Sequence, residues 1–156
     1  MSFTLQRSEL LSYAMAFRQA MLQGASSSRM CAAVSAPLRA ALIRLGVEAV
    51  LVESDLDECN HIFLKLLDGE ILDPTADQFN EGSRVQLPEV YLGPGARIHT
   101  GAQPWAGGLE WGPFMEEIQR LVPSLAPDKV GRAVGLLLRS FPGRLEPARA
   151  PNQASL

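Results

Sequence analysis

The run HIFLKLLDGEILD, residues 61–73, limits the fold more than any other stretch of this chain. Two apolar segments flank Asp68-Gly69, a dipeptide suited to a tight hairpin turn. Strands joined so closely must run antiparallel. The loop length then decides which side chains share a face, because the strand repeat is two residues. A two-residue turn would pair Leu64 with Asp73 and send His61 to the opposite face. A three-residue loop, Leu67-Asp68-Gly69, pairs Phe63 with Asp73 and puts His61 diagonally across from Asp73 on the same face. Diagonal partners lie about 7–8 Å apart, within reach of a polar side-chain contact. The longer loop needs Gly69 in the left-handed region, which glycine adopts freely. We therefore expect a glycine bulge at Gly69, with Pro74 ending the pairing because it has no N–H to donate.

The rest of the chain fits around this hairpin. Leu10, Ala14, Phe17 and Met21 recur at helical spacing from about Leu5 to Leu22, and Gly24 stands where a helix-ending glycine belongs. A second helix is expected from about Met30 to Leu45, with Val34, Leu38, Leu42 and Leu45 as its stripe and Gly46 as its end. Pro37 falls inside it and predicts a kink or a non-helical first turn. Val47 to Glu53 reads as a strand. Leu87 to Ile98 is expected to hold one or two short strands broken by Gly93-Pro94-Gly95, and Thr100 to Gly108 a loop carrying Trp105. Helical spacing returns at Phe114, Ile118 and Leu121, and again from about Asp128 to Ser140. The expected class is α+β: a single domain over residues 1–141 and a loosely held tail over 142–156.

Composition narrows the function. With 47% hydrophobic and 20% charged residues, 156 residues suffice for one well-buried core without metal or disulfide support. The net charge of -3 and the lack of a basic block argue against nucleic acid as a partner. Nine acids face one base, Lys65, between Glu53 and Glu81, which reads as solvated loops more readily than as a cation-binding face. Arg7, Glu9 and Arg18 break up the N-terminal apolar pattern that a signal peptide would need, and no run is long enough for a membrane span. The expected location is the cytoplasm, or outside the cell through a signal-peptide-independent secretion system. Cys31 and Cys59 form no zinc-ligand spacing and imply no bridge.

Cys31 has chemical reasons to be reactive. It lies where the chain enters a helix, and there the unpaired N–H groups and the helix dipole favour a thiolate and can hold an oxyanion. Such a nucleophile needs a base, and the base needs an orienting group. His61 and Asp73 supply both if the hairpin register is right. The bland alternatives are a small core cysteine, a strand-end histidine and a turn aspartate. Cys59, beside Asp57 and Glu58, is the weaker nucleophile candidate, and His99 is a rival base with little local support. Gln78 and Asp77 are candidates to orient the site from behind, with the start of a helix after Pro74 as their bland alternative. Gln23 and Asn60 are weaker candidates to support the site or donate to an oxyanion. Trp105 and Trp111, near glycines, read as core or loop anchors, with the wall of a peptide groove as the functional alternative.

The order Cys31, Ser35, Leu38, Leu42, Gly46, then a strand, then Asn60-His61 and Asp73-Pro74-Thr75-Ala76-Asp77-Gln78-Phe79 resembles the transglutaminase-like branch of the papain-like cysteine enzymes. The likeness spans about Ser26 to Asn80, roughly a third of the chain. Its most specific part is DPTADQF, which is similar to the Asp-x-Thr-x-x-Gln-Phe segment of bacterial members. Ile62 stands where the family commonly has an aromatic residue. The resemblance implies a nucleophile helix packed on a small antiparallel sheet and a Cys31–His61–Asp73 triad. It also implies thiolate attack on a carboxamide or peptide carbonyl of a protein or peptide substrate, through a thioester and without metal or cofactor. Proteases, peptide-maturation enzymes, transglutaminases and glutamine deamidases all occur in the group, and a small single domain of this kind would suit a bacterial effector. A degenerate relative serving as a protein-binding module is the alternative.

Overall fold

The computed structural model describes residues 5–105, 113–121 and 127–140. Among these residues the helices are α1 (Arg7–Leu22), α2 (Cys31–Arg44), α3 (Pro113–Leu121) and α4 (Pro127–Ser140). The strands are β1 (Ala49–Asp55), β2 (Asn60–Leu66), β3 (Ile71–Asp73), β4 (Tyr91–Gly93) and β5 (Gln103–Pro104), in the antiparallel order β4-β3-β2-β1-β5. The class is α+β. The expected tail at 142–156 and Trp111 lie outside the described residues. Among the described residues no helix is long and apolar enough to cross a membrane.

The hairpin takes the three-residue loop. Leu64 faces Leu72 and Lys65 faces Ile71, which continues to Phe63 opposite Asp73. Gly69 sits at φ +89°, and the Leu66 N–H to Glu70 O bond of 2.8 Å closes the loop. A residue with a Cβ would be strained at that φ, so the glycine fixes the register and with it the faces of the two strands.

α2 is the central helix. It contacts β1 and β2 on one side and α1 and α3 on the others. Its alanines explain how it can be so enclosed. Ala32, Ala36, Ala40 and Ala41 are all buried, and their small side chains let neighbouring elements approach closely. Leu38 and Leu42 join Leu64, Leu72, Phe17, Phe114, Ile118 and Val134 in the main core. Burying each large apolar side chain contributes about 1.5–3 kcal/mol. The helix runs unbroken from Cys31 through Pro37, so the expected non-helical first turn is absent. Pro37 still leaves the Ala33 carbonyl without the usual N–H donor, and its ring is buried. The opposite face of the sheet holds a second cluster of Val52, Phe63 and Ile71, against which Tyr91 and Ala102 pack.

One expectation needs correction. Residues 100–108 do not begin as a plain loop, because Gln103–Pro104 adds β5 to the free edge of β1, with the Trp105 N–H donating to Leu51 O at 3.1 Å. The edge position tolerates Pro104, which has no N–H to give. The segment 87–98 holds one strand, β4, as expected, followed by a short 3-10 turn at Arg97–His99.

Candidate functional site

β2 and β3 bring His61 and Asp73 together. His61 Nε2 lies 2.5 Å from Asp73 Oδ2, and both side chains are fully buried. The same oxygen accepts from His99 Nε2 at 2.7 Å. Asp73 Oδ1 accepts the Thr75 N–H at 3.0 Å, the turn bond of an aspartate just before a proline. Burial alone would raise this carboxyl; the attraction of His61 and the hydrogen bonds from both imidazoles outweigh it and hold it down to about 2. Asp73 is therefore a buried carboxylate with three donors.

Aromatic rings fix the two imidazoles. Phe79 meets His61 edge-on with centroids 5.0 Å apart, and Phe63 meets His99 edge-on at 4.6 Å. Tyr91 lies 5.2 Å from His99. Phe79 belongs to the DPTADQF segment, where it ends a 3-10 turn over Ala76–Phe79.

Cys31 is the first residue of α2, as expected, but its sulfur is enclosed. It is fully buried with Ala32 and Ile62, and Leu51 and Trp105 pack against that cluster. Burial pushes the Cys31 thiol up to about 12. Backbone hydrogen bonds from Ile62, Ala32 and Cys31 itself pull the other way, and the nearby charge of Asp73 adds to the rise. This corrects the expectation of a helix-stabilised thiolate: desolvation exceeds the benefit of the helix N-terminus. The sulfur meets β2 at Ile62, one residue beyond His61. It makes no hydrogen bond to His61, whose Nδ1 is buried without a partner. Thus the hairpin joins His61 to Asp73, while Cys31 lies beside the same strand as a neutral thiol.

The weaker candidates separate from this centre. Gln23 Nε2 donates to Ala20 O at 2.6 Å within its own helix end, and it lies against Gly135 of α4. Asn60 Nδ2 donates to Glu53 Oε2 at 3.1 Å across the β1–β2 pair, on the strand face opposite His61. The Gln78 side-chain oxygen is buried without a partner. Cys59 is half-buried and unbridged; burial raises its thiol, and the charge of Glu58 adds to the rise. Asp77 pairs with Arg18 and Ser27 rather than with His61 or Asp73. It accepts from Arg18 Nη1 at 2.7 Å and Nη2 at 2.9 Å, and from Ser27 Oγ at 2.9 Å. Burial works to raise the Asp77 carboxyl, and the Arg18 and Ser27 bonds overcome it. The buried guanidinium of Arg18 also donates to Pro74 O and Glu89 O. One salt-bridged cluster therefore holds both the loop ahead of Cys31 and the turn after Asp73.

Arg18 and Ser54 are residues that the sequence pattern left out of the site, and His99, read there as a rival base, joins Asp73 alongside His61. His99 returns to Asp73 from 26 positions away. Ser54 faces His61 across the β1–β2 pair, fully buried, and its hydroxyl too has no partner.

His61, Asp73 and His99 also present three ligand atoms within 4.8 Å of one another, the spacing of a metal cluster. The surrounding hydrogen bonds do not suit a cation. A metal-bound histidine ordinarily donates its other ring N–H. His99 Nδ1 instead accepts the Ala96 N–H at 2.9 Å, so a metal on Nε2 would force a proton onto Nδ1 against that donor.

No family model, curated protein or solved structure matches this chain.

Proposed function

We propose that this protein is a cysteine-dependent amide hydrolase or acyl transferase acting on a protein or peptide, with a transglutaminase-like, papain-like arrangement of Cys31, His61 and Asp73. The observation that supports it most directly is the buried His61–Asp73 pair. Its carboxylate holds Nε2 and leaves Nδ1 as an unpartnered nitrogen on β2, the strand whose Ile62 Cys31 meets from the α2 side. A general base of this kind is what a neutral thiol requires.

The chemistry follows from those roles. His61 lies on the Phe63 face of β2, while Cys31 meets Ile62 from the α2 side. The reaction therefore requires a shift at the start of α2 that carries the sulfur to Nδ1, which then takes the thiol proton as sulfur bonds to the substrate carbonyl carbon. The N–H groups at the start of α2 face the developing oxyanion. The carbon–nitrogen bond then breaks, the His61 proton passes to the leaving amine, and a thioester remains. Water or an amine attacks the thioester and regenerates the thiol. No step calls for a metal or cofactor.

A second reading, a degenerate relative that binds a protein partner, draws on the enclosed sulfur and its raised pKa. One experiment separates the two. With the thiol titrating near 12, alkylation of Cys31 at neutral pH depends on a base. Iodoacetamide labelling with peptide mapping should modify Cys31 in the native protein and lose that modification in His61→Ala, with Cys59 unchanged. Labelling of Cys31 that ignores His61 would favour the binding module. Incubating wild type and Cys31→Ala with lysate, followed by mass spectrometry, then distinguishes cleavage, deamidation and crosslinking.

A further inference from the structure

Asp73 Oδ2 is shared by two imidazoles, and the hydrogen bonds around the second determine its protonation pattern. The Ala96 N–H can only donate, so His99 Nδ1 must accept. The proton of neutral His99 therefore sits on Nε2, pointed at Asp73. The ring cannot turn over to exchange its nitrogens without losing both bonds. It is packed between Phe63 and Tyr91, and Tyr91 is itself anchored by accepting the Gly95 N–H at 3.1 Å. The turn Arg97–His99, with its leading Ala96, thus presents a fixed donor.

We propose that His99 is a positioning residue: a locked Nε2–H donor that completes the coordination of Asp73 and so imposes the Nε2–H tautomer on His61. With Thr75 on Oδ1 and His99 on one side of Oδ2, the carboxylate has no freedom to swing toward another partner. The remaining lone-pair direction on Oδ2 meets His61, and a carboxylate can only accept. His61 must then donate from Nε2, and the bare nitrogen is Nδ1. The consequence for catalysis rests on the thiol-enzyme reading above; the tautomer assignment does not.

The chain has only two histidines, which makes the test direct. In protein labelled with 15N-histidine, both imidazoles should show protonated Nε2 and bare Nδ1 in long-range 1H–15N spectra at neutral pH. His99→Gln, which keeps an N–H donor at a similar reach, should leave His61 in that form. His99→Ala should convert His61 to a mixture of tautomers, and His61-dependent alkylation of Cys31 should fall with it. A protonated Nδ1 on His99 in the wild type overturns the proposal, and that measurement does not require any variant to fold. So does a His61 tautomer that is the same in His99→Ala as in wild type while the variant keeps its native circular dichroism. If the tautomers behave as described but Cys31 labelling is indifferent to His61, the positioning role stands and the thiol-enzyme reading fails.

Discussion

Replacing Asp73 by asparagine tests the site's electrostatics without changing its shape. In the wild type the carboxyl titrates at about 2 in the folded protein against an ordinary 3.8. At about 1.4 kcal/mol per pH unit, that difference is worth about 2 kcal/mol. The folded value is depressed, so this stabilisation is complete above the unfolded pKa and is lost as pH falls through the folded one. The window is therefore pH 4 down to pH 2. Asparagine loses that term and adds another cost. Its NH2 must face either the two imidazoles or the Thr75 N–H, leaving at least one buried donor unsatisfied at about 1–3 kcal/mol. We expect Asp73→Asn to be less stable by about 3–5 kcal/mol at pH 5.5, close to the range for breaking a buried charge pair. The gap should narrow by about 2 kcal/mol at pH 2. Urea unfolding of both proteins across this range, followed by circular dichroism, measures it. Other carboxylates titrate in both proteins and cancel in the difference. A gap that stays constant from pH 5.5 to pH 2 would refute the account of Asp73 as a depressed, three-donor carboxylate.

Three other substitutions probe the surroundings. Trp105→Ala removes a ring that packs against the Cys31 cluster; Cys31 alkylation at a fixed pH should accelerate, and an unchanged rate would show that Trp105 does not shield the sulfur. Gly69→Ala places a Cβ at φ +89° with nothing within 4 Å, so the loss is conformational alone. It should cost about 1 kcal/mol in a urea melt, whereas a gain would contradict the left-handed loop. Arg18→Met leaves Asp77 and two carbonyls without their donor and should cost about 3 kcal/mol, measured by denaturant titration. Combining it with Asp77→Asn should cost less than the sum of the two, because they remove one network.

The parts of the fold set by local rules were legible in the sequence. Gly69 and strand alternation placed His61 and Asp73 on one face, and the apolar stripes located α1 and α2 within about two residues. What escaped depends on tertiary contact. His99 sits in a segment whose only local signals are Gly95 and a short turn, and its link to Asp73 exists because β4 returns to β3. Arg18 falls within the apolar periodicity of α1, where a charge reads as solvent-facing; its partner lies 59 positions on. The state of Cys31 was misjudged for the same reason. The helix N-terminus is visible in the sequence, but the Ile62, Ala32 and Trp105 enclosure is not, and enclosure sets the sign of the shift. The strand at Gln103–Pro104 was hidden by a proline, a residue that ordinarily argues against pairing.

The guanidinium of Arg18 has a consequence for the order in which this protein is completed. The helix that carries it is synthesised well before its partners at Pro74, Asp77 and Glu89. Until those arrive, the segments bearing the sulfur and the carboxylate have no common anchor. A half-made chain therefore carries Cys31, His61 and Asp73 without the buried arrangement that joins the last two, and that arrangement waits until synthesis has passed the second imidazole.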